Sequence, residues 1–190
     1  MEIRAVHTLA SSEPAPLHPG QWFERTFDFE HLSVSPAGLI ERLRYTPLRL
    51  AEQTRQLSAE QRTAKPEGQW SVQENVGHLL DLEPLWLGRV QDTLAGQTNM
   101  RPADLQNRKT HEANHNTASL QELLGAFAAE RQKLVRLCEA NHPVLSTAWA
   151  LHPRLQTPMR IIDLMYFVAE HDDHHIATIR YLLSRLAQGS

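Results

Sequence analysis

A chain of 190 residues, 41% hydrophobic and 22% charged, with one cysteine and a formal net charge of −3, has the make-up of one soluble globular domain with a real core. The lone cysteine excludes internal disulfides and a multi-cysteine zinc site. The charge provides no general field for nucleic acid, and no apolar run reaches the ~18 residues of a membrane span. Eleven histidines are the compositional oddity. The N-terminus lacks a basic start followed by an apolar core, so a cytoplasmic location is expected.

Residues 1–34 read as an irregular arm: Pro14, Pro16 and Pro19 sit among Ser and Ala, followed by the aromatic-rich Trp22-Phe23 and Phe27-Asp28-Phe29. The arm is expected to pack on a bundle formed by residues 35–190. A first helix is predicted from Ser35, a cap before Pro36, to Leu57, with Leu39, Ile40, Leu43 and Leu50 on its apolar face and a kink at Pro47. Ser58 to Gln61 begins a short helical turn. Ser71-Val72-Gln73-Glu74 is a capping box that opens a second helix to about Ala95, bent at Pro84. His78 falls on the shoulder of its apolar face, where a lone histidine has nothing unusual about it.

From Gly96 to Thr117 the chain is polar, a long connection with one short helical turn expected after Pro102. A second capping box, Ser119 to Glu122, opens a third helix to about Ala140. Cys138 lies on that helix among Leu134, Val135 and Leu137 and reads as packing rather than nucleophile. Residues 141–158, with Pro143, Pro153 and Pro158, read as an irregular crossover, and Thr157 before Pro158 is expected to cap the fourth helix. Four amphipathic helices without a strand set predict an all-α, up-down four-helix bundle, a fold that builds metal sites in its core from facing helices.

The fourth helix carries the anomaly. Its apolar stripe, from Ile161, Leu164, Met165 and Val168 to Ile176, Ile179 and Leu183, continues through Asp172 and His175 with His171 at its edge, while His174 points away. Burying such groups is costly unless they are paired or hold a metal. Hydrogen-bonded core histidines are one answer. The other is a metal, because imidazoles at i and i+4 can converge on one ion given a third ligand from elsewhere. His111-Glu112-Ala113-Asn114-His115 formally matches the zinc-protease pattern, but its flanks have no apolar period to make a helix of it. It is better read as a loop folded over the bundle end.

Gln69-Trp70-Ser71-Val72-Gln73-Glu74 leading into His78-Leu79, the four-helix layout and the late His171-x-x-His174-His175 together resemble the DinB superfamily of DinB/YfiT-like metalloenzymes, over roughly residues 35–187. The resemblance implies that His78, His171 and His175 bind a divalent metal, zinc or nickel, near one end of the bundle, with His174 outside the ligand set. It also implies a small-molecule substrate, a low-molecular-weight thiol as co-substrate in some members, and a homodimer; neither nucleic acid nor membrane is implied as a partner. Two departures stand out: Asp172 and Asp173 replace small or hydroxyl residues, and Ile176-Ala177-Thr178 replaces the family's frequent Arg-Gly-Gln. Three neutral imidazoles leave a position open for water or substrate, so hydrolysis or transfer by an activated water or thiol is expected. Glu74 and Asp172 are the candidate catalytic carboxylates, with Asp173 and Glu170 also able to orient a ligand imidazole. The alternative is a non-enzymatic dimeric binding module with an incidental metal site.

Overall fold

The computed structural model describes residues 17–188; the rest of the expected arm, residues 1–16, lies outside them. Helix α1 (Pro36–Thr54) starts where the Ser35 side chain accepts from Gly38 N, and Pro47 does not end it. Ser58 and Gln61 form a full capping box on the short α2 (Ala59–Thr63), and Ser71 and Glu74 form another on α3 (Val72–Leu94), which continues through Pro84. The polar connection contains α4 (Arg108–Glu112) and a 3-10 turn at His115–Thr117, later in the chain than Pro102. Helix α5 (Leu120–Ala140) departs from expectation at its start. Ser119 stands at the cap position but makes no side-chain cap hydrogen bond, and burial of Leu120, Leu123 and Leu124 holds the first turn instead.

Residues 149–160 correct the expected crossover. Strands β1 (Trp149–His152) and β2 (Thr157–Arg160) form an antiparallel hairpin, with Ala150 opposite Met159. Its prolines disguised it: Pro153 follows β1 into the turn, and Pro158 sits on β2, the strand at the edge, while the other side of β1 is bridged by residues 98–100 through Leu151. Gln156 takes a left-handed φ of +52° to close the turn. Thr157 is therefore a strand residue and not a cap. Helix α6 (Ile161–Gln188) follows β2 directly, and the Asp163 carboxylate accepts from Arg160 N at 2.8 Å.

The four long helices make a bundle in which α1 and α3 each pack on both α5 and α6. Contacts at both ends give their directions. Arg42 reaches Glu170 and Gln53 reaches Ile176 O, so α1 and α6 run parallel. Asn75 meets His175 and Trp86 meets Phe167, so α3 and α6 run antiparallel. Arg44 pairs with Glu139 while Leu50 shares a cluster with Leu120 and Leu124, which sets α5 against α1. The order is up, down, down, up. Two consecutive helices in the same direction require a connection that returns along the bundle, which is why residues 95–119 are so long.

The core divides into two apolar clusters. Leu43, Trp86, Leu134 and Val168 belong to one; Leu50, Val76, Leu79, Phe127 and Ile179 to the other. Between them every long helix contributes buried polar groups: Thr46, His78 and Glu83, Arg131, and His171, Asp172 and His175. Arg131 is the hub. Its Nε and Nη2 donate to Glu83 (3.0 and 2.7 Å), its Nη1 and Nη2 to Asp172 (2.5 and 3.0 Å), and Nη1 also to Leu43 O (3.2 Å). Thr46 Oγ1, on the same helix as Leu43, ties α1 to α6 by donating to Asp172 (2.9 Å). Burial opposes charge on Arg131, yet the two carboxylates hold it above its ordinary pKa; burial pushes Glu83 up to about 7 against the pull of Arg131.

Removing the guanidinium strands two carboxylates in a dry layer. Arg131→Met is expected to lower unfolding stability by about 3–5 kcal/mol in urea titrations at pH 7; a loss below about 1 kcal/mol would contradict this account of the layer.

Candidate metal centre

Helices α3 and α6 bring three buried imidazoles together. The ring centroids of His78 and His171 lie 5.4 Å apart, those of His78 and His175 4.9 Å, and those of His171 and His175 4.6 Å. One ring nitrogen from each falls within 4.8 Å of the other two. The i, i+4 spacing on α6 supplies one pair, and the antiparallel packing of α3 supplies the third ring. Burial drives His78 down to about 4 against the pull of Asp81, and burial together with repulsion from the neighbouring imidazoles takes His171 and His175 well below the usual imidazole value. All three are neutral at pH 7 and carry a free lone pair.

Hydrogen bonds decide which nitrogen is free. Asn75 Nδ2 donates to Ser71 O (2.8 Å), which turns its Oδ1 toward His175 Nδ1 at 2.7 Å. That nitrogen must therefore be the donor, and the Nε2 lone pair is left open. Thr110 Oγ1 gives its hydrogen to Asp81 (2.9 Å), so at 3.1 Å it can only accept from His78 Nδ1. His171 Nδ1 is buried without a hydrogen-bond partner among the described residues. Two preset tautomers and one orphaned nitrogen fit a divalent cation bound by imidazole.

The profile of the DinB superfamily matches residues 42–179 of the sequence. The chain belongs to the DinB superfamily. Among solved structures it is similar to YfiT from Bacillus subtilis, described as a probable metal-dependent hydrolase with an unusual four-helix bundle topology. The TM-score is 0.74 and the identity 20%, over 85% of this chain and 94% of that one. No curated protein matches the sequence significantly.

In this DinB protein the histidines open on a cavity of about 310 Å³ walled by Trp22, Trp70, Trp86, Leu82 and Phe167. Trp22 comes from the aromatic-rich segment before α1 and sets its ring edge-on to His171, with centroids 4.9 Å apart. Residues 102–105 of the long connection close another side. His174 stays outside the cluster, half-buried, with its ring 5.7 Å from Trp22. Neither candidate carboxylate lines the cavity. Glu74 is held by Ser71 N and Lys65, and Asp172 by Arg131 and Thr46. Glu170 and Asp173 pair with Arg42, on the α1 side of α6.

The protease-like motif does not converge. His111 is exposed at the end of α4, whereas His115 is buried in a separate turn, with Nε2 2.8 Å from Asp81. Its ring occupies the space where a Cβ on residue 77 would lie, 2.3 Å away, so Gly77 is required for this approach. Asn75, Asp81 and Thr110 were not singled out in the sequence. Asn75 and Asp81 had a faint signal, as polar residues three before and three after His78 on a helix. Thr110 had none.

Burial also takes His152 down to about 3, while His78 sits at about 4, against 6.5 for the free ring. As pH falls the unfolded chain takes up protons first, so the stability contributed by these rings is complete above about pH 6.5 and is lost toward pH 4 and then 3. At pH 5 the loss is about 2 kcal/mol for each ring. Urea midpoints of the chelator-treated protein should fall clearly between pH 7 and pH 5; equal midpoints would contradict the buried neutral state.

Proposed function

We propose that this protein is a metal-dependent hydrolase of small molecules, with a divalent cation held by His78, His171 and His175. The convergence of three neutral, buried imidazoles on one point beside a cavity carries this reading. The description of the Bacillus subtilis relative supports it. When bound, the ion supplies a Lewis acid that lowers the pKa of a water or a thiol and polarises a carbonyl.

The protein's own groups prepare that chemistry. Asn75 and Thr110 hold His175 and His78 in the tautomer that presents Nε2, and Asp81 fixes the Thr110 hydroxyl in turn. Trp22 and Trp86 pack edge-on against His171, excluding water from its flank. Among the described residues the carboxylate on the cavity wall is Asp104, which Arg108 and two backbone amides already engage. Glu74 and Asp172 therefore act through structure, one as a helix cap and the other as a clamp on Arg131. A low-molecular-weight thiol in place of water would make the same site a transferase.

Purified wild-type protein is expected to retain about one equivalent of zinc or nickel after dialysis. His175→Ala should lose it and His111→Ala keep it, with circular dichroism confirming that both are helical. Hydrolysis of small esters or amides should follow metal content. Metal retained by His175→Ala, or lost only in His111→Ala, would overturn the assignment. Conjugation of glutathione to electrophiles without any hydrolysis would replace hydrolase by transferase.

A further inference from the structure

The cavity has a second chemical pole. Arg89 lies eleven residues beyond His78 on α3, about 16 Å further along the helix axis, and lines the same cavity as Arg154 and His152 of the hairpin region. The rings of Trp86 and Phe167 stand between the two poles. Trp86 is 5.8 Å from His171 and 6.1 Å from Phe167, and Phe167 is 5.4 Å from His152.

This pole has positive charge and too few acceptors. Arg89 is only 2% exposed, yet it makes no ion pair with a carboxylate among the described residues. Its Nε donates to Arg101 O (3.0 Å), and its Nη1 lies 2.9 Å from His152 Nε2. The other nitrogen of His152, Nδ1, already accepts from Leu155 N at 3.1 Å. A neutral imidazole has a single acceptor nitrogen, so one of these N–H groups faces another donor. Arg154 Nη2 is buried with no hydrogen-bond partner among the described residues. Asp92 is engaged by Arg101, and Asp104 by Arg108. Burial, followed by repulsion from Arg154, brings Arg89 down to about 10. Buried cations in such a wall are normally paired. Here the missing acceptor faces a cavity.

We propose that the substrate carries an anionic group, a carboxylate or a phosphoryl, which docks on Arg89 and Arg154 and holds its apolar body along Trp86 and Phe167 toward the three histidines. A guanidinium pair matches either anion through parallel N–H donors, and the aromatic wall accepts a ring or a short acyl chain. A cavity of about 310 Å³ is sized for one such unit rather than a polymer. The inference takes the cavity of the proposed hydrolase as the substrate's seat, but the anion site itself needs no metal.

The test uses full-length protein kept metal-free by a chelator, with 4-phenylbutyrate, 3-phenylpropylphosphonate and neutral 4-phenylbutanamide as probes. Binding is read by quenching of the tryptophans that wall the cavity. At least one anionic probe is expected to bind tenfold or more tighter than the amide, and whichever anion binds better identifies the head group. Arg89→Gln and Arg154→Gln should each remove most of that preference while leaving amide affinity within about twofold. If Arg89→Gln fails to fold by circular dichroism, Arg154→Gln, at a half-buried turn position, carries the test. Equal binding of anions and amide to wild type, or an undiminished preference in every folded variant, would overturn the proposal. Because no ion is present, failure here leaves the metal reading standing, and failure of the metal reading leaves this result unaffected.

Discussion

The buried clamp of Arg131 by Glu83 and Asp172 sets the relation between helices on which the rest depends. All of its hydrogen bonds run between different helices: α5 to α3, α5 to α6, α5 to α1, and α1 to α6. A guanidinium held on three sides leaves little freedom for α6 to rotate or slide. With Asp172 turned toward Arg131 and Thr46, the neighbouring His171 and His175 turn toward α3, where His78 waits. Apolar packing above and below would tolerate other rotations; a directional ion network does not. In this protein the network therefore sets register, at a desolvation cost offset by its bonds to two carboxylates and one carbonyl.

That register places the site at a boundary between two kinds of surroundings. On one side the imidazoles are backed by Asn75, and by Thr110 and Asp81, which fix their tautomers. On the other side they face tryptophan walls with no free carboxylate among the described residues. The long return from α3 to α5, imposed by the parallel direction of those helices, supplies Thr110, His115 and part of the cavity wall. One topological requirement thus delivers both the support of His78 and a side of the pocket.

Much of this was legible in the sequence. The box at Ser71 and Glu74 marked the start of α3 to within a residue, and the alternation of apolar faces gave four helices because each is amphipathic along its whole length. The two α6 histidines stood out as polar groups in an apolar stripe. What pattern reading could not supply was anything set by contacts between distant segments. Prolines at 153 and 158 masked a hairpin whose strands are stabilised by each other, and Ser119 had the composition of a capping box without its hydrogen bonds. Asp172 looked like a site carboxylate because helical periodicity gives direction within one helix. Its partner, Arg131, lies 41 positions away on another helix. Thr110 acts on His78 across a loop whose path no local signal encodes.

The most direct test of the central claim is an anomalous difference map from crystals of the protein loaded with zinc and measured on either side of the zinc edge. The account predicts one dominant peak enclosed by the rings of His78, His171 and His175, with Asp172 still bonded to Arg131. A dominant peak at His111 and His115, or no ordered zinc among the three rings despite full loading, would contradict it.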